Sequence, residues 1–369
     1  MKTAEHNLRS RCPSPIGGSA KSQEGIALII VMISIFVLTM LAGGFAYSMK
    51  IETRLARNAD SEAQLEWLGR SAVEKARWIL AEQFKIAQEP YDGLDQVWAG
   101  GPGGIATSNS PLANISLSLD SPEGHATFSI VDLERKVNIN LANEAILQQA
   151  LTVAGVDAGD STRLVNSILD WMDPDDRPRV QGAESDFYQD YWPDHPYSAK
   201  NGPIDDISEL LLIQDITPEL FWGAGSTNFQ MYAFSPQTRR GAPPVPTVGL
   251  TNLFTALSSG RININTASAE VLQVIPGVTP EMAQGIVGAR SGEPDPMGLS
   301  GPYRSVDQVR RVPEVNIMVA RAIQQFCDVR SRTFEVHVDA QVGGYHRHFV
   351  GVLGRAGRDV PVLGFYWTD

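Results

Sequence analysis

Residues 25–49 read GIALIIVMISIFVLTMLAGGFAYSM and contain no charged side chain. A bilayer core of about 30 Å is crossed by about 20 apolar helical residues, so this stretch is long enough to span a membrane. It also lacks the polar face that helices packed on a soluble core usually carry. The sequence therefore predicts a membrane-spanning helix over residues 26–49.

The residues before this stretch are polar and turn-rich, with four basic and two acidic side chains among residues 1–25. Positive charge on this side of a span predicts a cytoplasmic N-terminus, with the bulk of the chain across the membrane. A cleaved secretory signal is the alternative. It would have a shorter apolar region followed by a small-residue cleavage site. The nearest candidate for such a site is Leu41–Gly44, and it is not a clean match.

The chain after the span keeps a helical pattern. No proline occurs between the span and Pro90, and apolar residues recur at steps of three and four from Leu55 to Phe84, which indicates one amphipathic face. The spanning helix is therefore predicted to continue over residues 50–88, as a rod of roughly 90–95 Å. Its second half is expected to pack on another element.

A positive leader ending in glycine, an uncharged span and a long continuous helix together resemble the N-terminus of type IV prepilins. The resemblance implies that a prepilin peptidase removes residues 1–25 by cutting between Gly25 and Ile26, and that the helix stays in the inner membrane as a single span. Pilins carry Glu at the fifth mature position, whereas this chain has Ile30. A buried carboxylate there is costly unless it is paired with a neighbouring subunit's amino terminus. Its absence is typical of the protein K family of minor pseudopilins in type II secretion systems.

Candidate strands lie far apart in the sequence. Residues 115–119 and 125–133 have near-alternating polarity, as do three segments after residue 333, two of which flank a predicted hairpin turn at Gly343-Gly344. We therefore expect an α+β fold, in which the long helix packs on a small antiparallel sheet as in pilins. Residues 89–135 and 331–369 would form this pilin-like core, and residues 136–330 a large, mostly α-helical insertion.

The insertion contains an internal repeat over residues 136–172 and 261–291. VNINLA at 137–142 aligns with ININTA at 262–267, and each copy continues as a helix, a glycine turn and a second helix. Such units resemble helix-hairpin-helix modules, some of which hold DNA phosphates with turn amides. A membrane-anchored DNA-binding or DNA-uptake protein is thus the alternative function. The acidic residues near both turns and the scarcity of Lys and Arg there argue against it, because phosphates would be repelled.

Residues 170–203 form an acidic loop between the two repeats. Eight carboxylates fall between Asp170 and Asp194, and several prolines exclude a helix through much of the segment. The loop is either a solvated acidic surface or a site for a hard cation, which takes six to eight oxygen ligands and relieves the repulsion between carboxylates. A soft metal is not expected, since no cysteine is near and His195 is the only histidine in the segment. The fixed Gly and Glu positions of an EF-hand are also missing.

The same segment resembles the calcium-binding stretch of the protein K family. The resemblance rests on an Asp-Trp-x-Asp-x-Asp motif, then Gly-Ala-Glu, Tyr and Asn-Gly-Pro in that order. It implies a structural calcium site with the following ligands: Asp173, Asp175, Glu184, Asp186 and Asn201.

Composition limits the remaining functions. The 369 residues are 43% hydrophobic and 20% charged, which is typical of globular proteins, and the net charge of −12 becomes −14 without the leader. None of the six histidines lies in a recognisable triad or metal motif, so no enzymatic activity and no small-molecule substrate are expected. The acidic balance disfavours nucleic acid as a partner. The resemblance implies a non-enzymatic subunit that caps a pseudopilus together with minor pseudopilins I and J.

Overall fold

The computed structural model describes residues 23–191, 195–224, 247–292 and 300–368. Residues 1–22 of the predicted leader lie outside this range, as do three residues of the acidic loop and two stretches of the helical insertion. The chain divides into two compact units, Met1–Ala63 and Gln64–Asp369.

The described α-helices are, in chain order, α1 (Gln23–Phe84), α2 (Ile105–Ser108), α3 (Glu144–Val153), α4 (Ala158–Met172), α5 (Ser185–Tyr191), α6 (Pro218–Trp222), α7 (Leu250–Leu253), α8 (Ala269–Gln273), α9 (Pro280–Arg290) and α10 (Ile317–Phe326). The strands are β1 (Ser118–Asp120), β2 (Gly124–Asp132), β3 (Val137–Asn138), β4 (Phe254–Thr255), β5 (Ile262–Asn263), β6 (Cys327–Asp328), β7 (Thr333–Val342), β8 (Tyr345–Gly354) and β9 (Val362–Thr368). Single-turn 3-10 helices occupy Val97–Ala99, Leu133–Arg135 and Ile139–Leu141, and longer ones occupy Ile207–Leu212 and Val306–Arg311.

Helix α1 runs without interruption through both segments predicted to be helical. Among the described residues it is the one helix that is long and apolar enough to cross a membrane, by length and composition. It ends at Phe84, four residues before the expected end at Gln88. The chain leaves the helix there because the next two amides bond to carbonyls only three residues back, and because the Gln83 amide donates to the Glu89 carboxylate at 2.6 Å.

The sheet confirms the expected α+β, pilin-like fold. Its five strands are antiparallel in the order β1-β2-β7-β8-β9, so strands from the two distant parts of the chain are neighbours. The expected hairpin is present, with Val342 paired to Tyr345 across the two glycines. Strand β1 begins at Ser118, later than expected, since the Ile115 amide is held in a turn by the Leu112 carbonyl.

The second half of α1 packs on one face of this sheet. Ala72, Ala76 and Ile79 are fully buried in one apolar core with the inward side chains of β2, β7 and β8. The approach is close: a Cβ on Gly69 would lie 2.6 Å from the Phe349 ring. Small residues on the helix therefore let it lie directly on the aromatic surface of β8.

The helical insertion lies between β2 and β7 and has its own apolar core. It is built from two modules of the same plan. In each, a two-residue strand, a helix, a glycine turn and a second helix are followed by a Gly-Pro dipeptide, a 3-10 helix, and a last strand that pairs in parallel with the first. Residues 137–255 form the first module and residues 262–328 the second. Between its second helix and its Gly-Pro dipeptide the first module carries the acidic loop.

A buried polar network joins this insertion to the sheet. The Arg355 guanidinium contacts both carboxylate oxygens of Asp92, and both side chains are almost completely buried. The Asn263 amide donates to the Asp92 carbonyl at 3.1 Å and to the Asp132 carboxylate at 3.1 Å. Asp132 also accepts the Ser331 hydroxyl at 2.6 Å. Because unpaired polar groups are costly inside a protein, this network fixes the two cores at their junction.

Candidate metal centre

Three carboxylates meet where helix α4 ends and the acidic loop begins. Asp170 lies in the last turn of α4, Asp173 caps that helix, and Glu184 immediately precedes α5. One carboxylate oxygen from each lies within 4.8 Å of the other two. Asp170 and Glu184 are buried, at 0% and 4% exposure, and Asp173 is half-buried.

Gly182 closes the loop onto the cluster. Its amide donates to the Arg179 carbonyl at 2.9 Å, and a Cβ built on it would lie 1.9 Å from Asp170 Oδ2. A glycine at this position therefore allows the backbone to lie directly against the carboxylate. The loop is held from the other side by aromatic packing of Tyr188 on Trp171 and Tyr197.

The charges of the cluster are compensated unevenly. Arg179 donates to Asp170 Oδ1 at 2.7 Å and contacts Asp173, whereas neither oxygen of Glu184 has a hydrogen-bond partner. Burial, followed by the neighbouring charges of Asp170 and Asp173, raises the pKa of Glu184 to about 7. An unpartnered, buried carboxylate beside two others is a strong acceptor for a cation.

A second set of oxygens lies at the edge of the loop. Asn201 has a positive φ of 49°, and its side-chain oxygen is buried without a partner. Its amide donates to Asp176 at 2.9 Å, as does the Ser185 hydroxyl. These two bonds lower the pKa of Asp176.

The structure brings some of the predicted ligands together and not others. Asp173 and Glu184 lie in the cluster, and Asn201 presents a free oxygen at the edge of the loop. Asp175 is exposed and accepts its hydrogen bond from the Arg177 backbone at 3.0 Å. Asp186 is exposed in the first turn of α5. Neither of these two belongs to the cluster of three.

Asp170 is the cluster member that the sequence interpretation did not include among the ligands. Its signal was the spacing Asp170-x-x-Asp173, which places both carboxylates near one helix end. The donor set fits a hard cation, because it consists of carboxylate and amide oxygens without sulfur or imidazole. A hard cation such as calcium would be held by Asp170, Asp173 and Glu184.

Two protein-family models match the two modules of the insertion. The family model for type II secretion system protein K matches residues 126–222, and a helix-hairpin-helix model matches residues 258–327. A type II secretion system protein K from Pseudomonas aeruginosa is 25% identical over 279 residues, which is 74% of either chain. The protein of that name from Aeromonas hydrophila is 24% identical over 212 residues, covering 55% of this chain and 62% of its own length.

This chain is similar to the type II secretion system protein K family. The fold agrees with a crystal structure of the GspK-GspI-GspJ complex from enterotoxigenic Escherichia coli, with a TM-score of 0.60 at 18% identity over 85% of this chain and 99% of that one. These similarities support an assignment as a minor pseudopilin of a type II secretion system. The protein K match includes the whole three-carboxylate cluster, and the helix-hairpin-helix match coincides with the second module.

The predicted processing site lies at the start of α1. Gly25 and Ile26 are both helical, and a Cβ on Gly25 would meet no other atom within 4 Å. Cleavage between them stays a prediction from the sequence.

Proposed function

We propose that this protein caps the tip of the periplasmic pseudopilus and in that position supports protein export across the outer membrane. The observation that carries this proposal is the size of the insertion. Strands β2 and β7 are adjacent in the sheet, yet 200 residues separate Asp132 from Thr333. A head enlarged in this way would clash with a subunit stacked on it, which favours a terminal position in the filament.

The N-terminal helix supports the same position. Ile30 occupies the place where pilins have a carboxylate, and it lies in a helical stretch without charged residues. A subunit with nothing above it has no amino terminus to neutralise there, and an unpaired carboxylate in a membrane would be costly. An apolar residue at this position is therefore the lower-energy choice for a capping subunit.

Minor pseudopilins I and J are the proposed partners. The structural neighbour is, by its description, a complex of GspK with GspI and GspJ, and its fold matches this chain. We place the protein in the inner membrane as a single-pass subunit with its bulk in the periplasm. The prepilin peptidase would release Ile26 as the mature N-terminus.

Co-purification tests the tip assignment. The full chain, carrying an affinity tag at its C-terminus, would be co-expressed with the I and J homologues of its own genome and extracted in detergent. We expect the three proteins to elute together at equal stoichiometry. An unrelated single-pass inner-membrane protein with the same tag serves as the control. Elution of the chain without I and J would contradict the assignment.

Calcium is the proposed structural ion of the three-carboxylate cluster. It would neutralise Asp170, Asp173 and Glu184 and tie the acidic loop to the end of α4. Binding to the folded state alone stabilises it by about 2.7 kcal/mol at a calcium concentration of 100 times the Kd.

Calorimetric titration of the EDTA-treated full chain in detergent tests this site. We expect saturable heat and a higher Tm with calcium, and neither in the Glu184→Gln variant. Absence of both signals in the wild-type chain would remove calcium from the proposal.

DNA binding is the competing function, because a helix-hairpin-helix model matches the second module. The turn at Gly277 leads into α9, where the Glu281 carboxylate bonds to its own backbone amide and to Thr279, and these bonds lower its pKa. The protein's own anion thus lies at the helix start where a phosphate would bind. Fluorescence anisotropy with labelled duplex DNA at 0.1 M salt is expected to show no binding. Saturable binding would instead favour a DNA-uptake role.

A further inference from the structure

Arg179 occupies the centre of the acidic loop. Its side chain donates to Asp170 Oδ1 at 2.7 Å and contacts Asp173 Oδ2, and its backbone amide donates to Asp170 Oδ2 at 3.0 Å. Two of the three cluster carboxylates thus share the single positive charge of one guanidinium. The third, Glu184, has no hydrogen-bond partner at either oxygen.

We propose that Arg179 is a built-in competitor for the cation, which holds Asp170 and Asp173 when the ion is absent and leaves them when it binds. This inference rests on the proposed calcium site. A divalent ion bound to all three carboxylates would compete with the guanidinium, which already contacts one oxygen of Asp170 and one of Asp173. The two positive charges would also repel each other at such short separation.

The exposed side chain of Arg179 and its hydrogen-bonded backbone amide make this exchange feasible. The Asp170 carboxylate is fully buried, whereas 40% of the Arg179 side chain is exposed to solvent. The guanidinium can therefore move outward without opening the core. Asp170 keeps its bond from the Arg179 backbone amide when the side chain leaves, so the carboxylate stays oriented for the ion.

The exchange has opposite effects on folding and on ion affinity. Without a counter-ion, three carboxylates within 4.8 Å of one another would repel and destabilise the ion-free protein. Arg179 removes much of that repulsion. The same contacts lower the calcium affinity, because binding must first break two ion pairs.

Calorimetric titration of the EDTA-treated full chain with calcium tests the role of Arg179. The Arg179→Gln variant removes the competing charge, and we expect its affinity for calcium to be at least about tenfold higher than that of the wild type. Its Tm in EDTA is expected to fall, so that calcium raises its Tm by a larger amount. Arg177→Gln is the matched control, since it removes the same charge from the same exposed loop without a side-chain contact to the cluster. We expect its affinity to change less than about twofold.

A second variant keeps the test decisive if Arg179→Gln folds poorly without calcium. Arg179→Lys retains the charge but loses the planar guanidinium that donates to two carboxylates at once. Its calcium affinity is therefore expected to lie between those of the wild type and Arg179→Gln. Circular dichroism in EDTA checks that each variant is folded.

The outcomes separate this inference from the calcium site itself. If the wild-type chain binds no calcium, both fail. If the wild type binds calcium and Arg179→Gln has the same affinity as Arg177→Gln, the site stands and the competition is refuted. Weaker binding by Arg179→Gln would likewise refute it and would make Arg179 a support of the site.

Discussion

The Asn265 side chain holds both backbone polar groups of Tyr303. Its amide donates to the Tyr303 carbonyl at 2.9 Å, and its oxygen accepts from the Tyr303 amide at 2.7 Å. Asn140 makes the same pair of bonds to Ile204, at 2.9 and 2.7 Å. Both partners directly follow a Gly-Pro dipeptide. The second asparagine of each repeat therefore clamps the equivalent segment of its own module.

Removing the clamp from the second module should destabilise the head strongly. Asn265→Ala leaves two buried backbone groups of Tyr303 without partners, and we expect a loss of about 2–4 kcal/mol in unfolding free energy. Asn140→Ala affects a half-buried position that water reaches more easily, so we expect about 1–2 kcal/mol. Urea unfolding followed by tryptophan fluorescence measures both. Equal losses of unfolding free energy in the two variants would show that burial of the asparagine does not determine the cost of removing it.

The buried pair of Arg355 and Asp92 should be sensitive to removal of one partner. Asp92→Asn leaves the guanidinium uncompensated in a site where both side chains are at most 2% exposed, and we expect a loss of about 3–5 kcal/mol. The control is Glu74→Gln, which breaks an exposed ion pair with Arg77 on α1 and should cost less than about 1 kcal/mol. Thermal unfolding in EDTA compares the two variants. A loss below 1 kcal/mol for Asp92→Asn would contradict the importance of the junction.

Stability should decrease between pH 5 and pH 7.5, in part because of Glu134. Burial and the neighbouring Asp132 raise the pKa of Glu134 to about 7, above its unfolded value. The folded state therefore keeps this proton while the unfolded state loses it, and the contribution present at low pH is lost as pH rises through 7. The size is up to about 3 kcal/mol, from 1.4 kcal/mol per pKa unit.

The Glu134→Gln variant isolates this contribution. It loses a bond to one of two backbone amides, of Ser259 or Arg332, at every pH, but its stability should depend less on pH than that of the wild type. Part of the pH dependence should remain in the variant, because burial also raises the pKa values of Asp132 and Asp95. Urea unfolding in EDTA at several pH values measures the difference. Identical slopes for variant and wild type would contradict the assignment to Glu134.

The loop closure at Gly182 should be essential for ion binding. In Gly182→Ala the new Cβ would overlap Asp170 Oδ2, so the carboxylate must move, and we expect at least about a tenfold loss of calcium affinity with a destabilisation of about 1–3 kcal/mol. Gly202→Ala is the matched control in the same loop, where the nearest atom lies 3.8 Å from the added Cβ. We expect it to bind calcium normally by calorimetry. Normal binding by Gly182→Ala would argue against the cluster as the site.

Processing should depend on Gly25 and not on the other glycines of α1. We expect Gly25→Ala to block cleavage, while Gly43→Ala is processed to a mature chain that starts at Ile26. Added Cβ atoms at both positions meet no other atom within 4 Å, so the folded helix is unaffected in either case. Intact mass measurement of the membrane-extracted chains distinguishes them. Normal cleavage of Gly25→Ala would refute the prepilin assignment.

The Ile30→Glu variant is expected to be tolerated or mildly harmful to function.

Much of the fold followed from local patterns. The helix over α1 and the hairpin of β7 and β8 are encoded by apolar periodicity and a two-glycine turn, which act over neighbouring residues. The repeat was visible at its beginning, in the two Asn-x-Asn segments. Its second half was missed, although the Gly-Pro dipeptides before Ile204 and Tyr303 are present in the sequence. They became recognisable as equivalents only through the asparagine clamps, which join residues 38 and 64 positions apart.

The candidate site was predicted less completely, for a related reason. The composition of residues 170–203 predicts an acidic loop that could hold a cation. It does not predict which carboxylates converge, because successive side chains in a loop point in different directions. Asp175 accepts a hydrogen bond from the Arg177 backbone amide and Asp186 is exposed to solvent, whereas Asp170 joins the cluster from the end of a helix. Which of them converge depends on where α4 ends and on how closely Gly182 packs.

The uncharged spanning segment, the continuous amphipathic helix and the concentration of acidic residues between the repeats can all be read from the amino-acid sequence. Each depends on residue types at short spacing, and each is a property of the chain before it folds. Folding, in contrast, selects the carboxylates that converge on one candidate cation site and places Arg179 between two of them. Coulomb energies and desolvation depend on distances and burial, and these are set only when helix α4 and the acidic loop pack together.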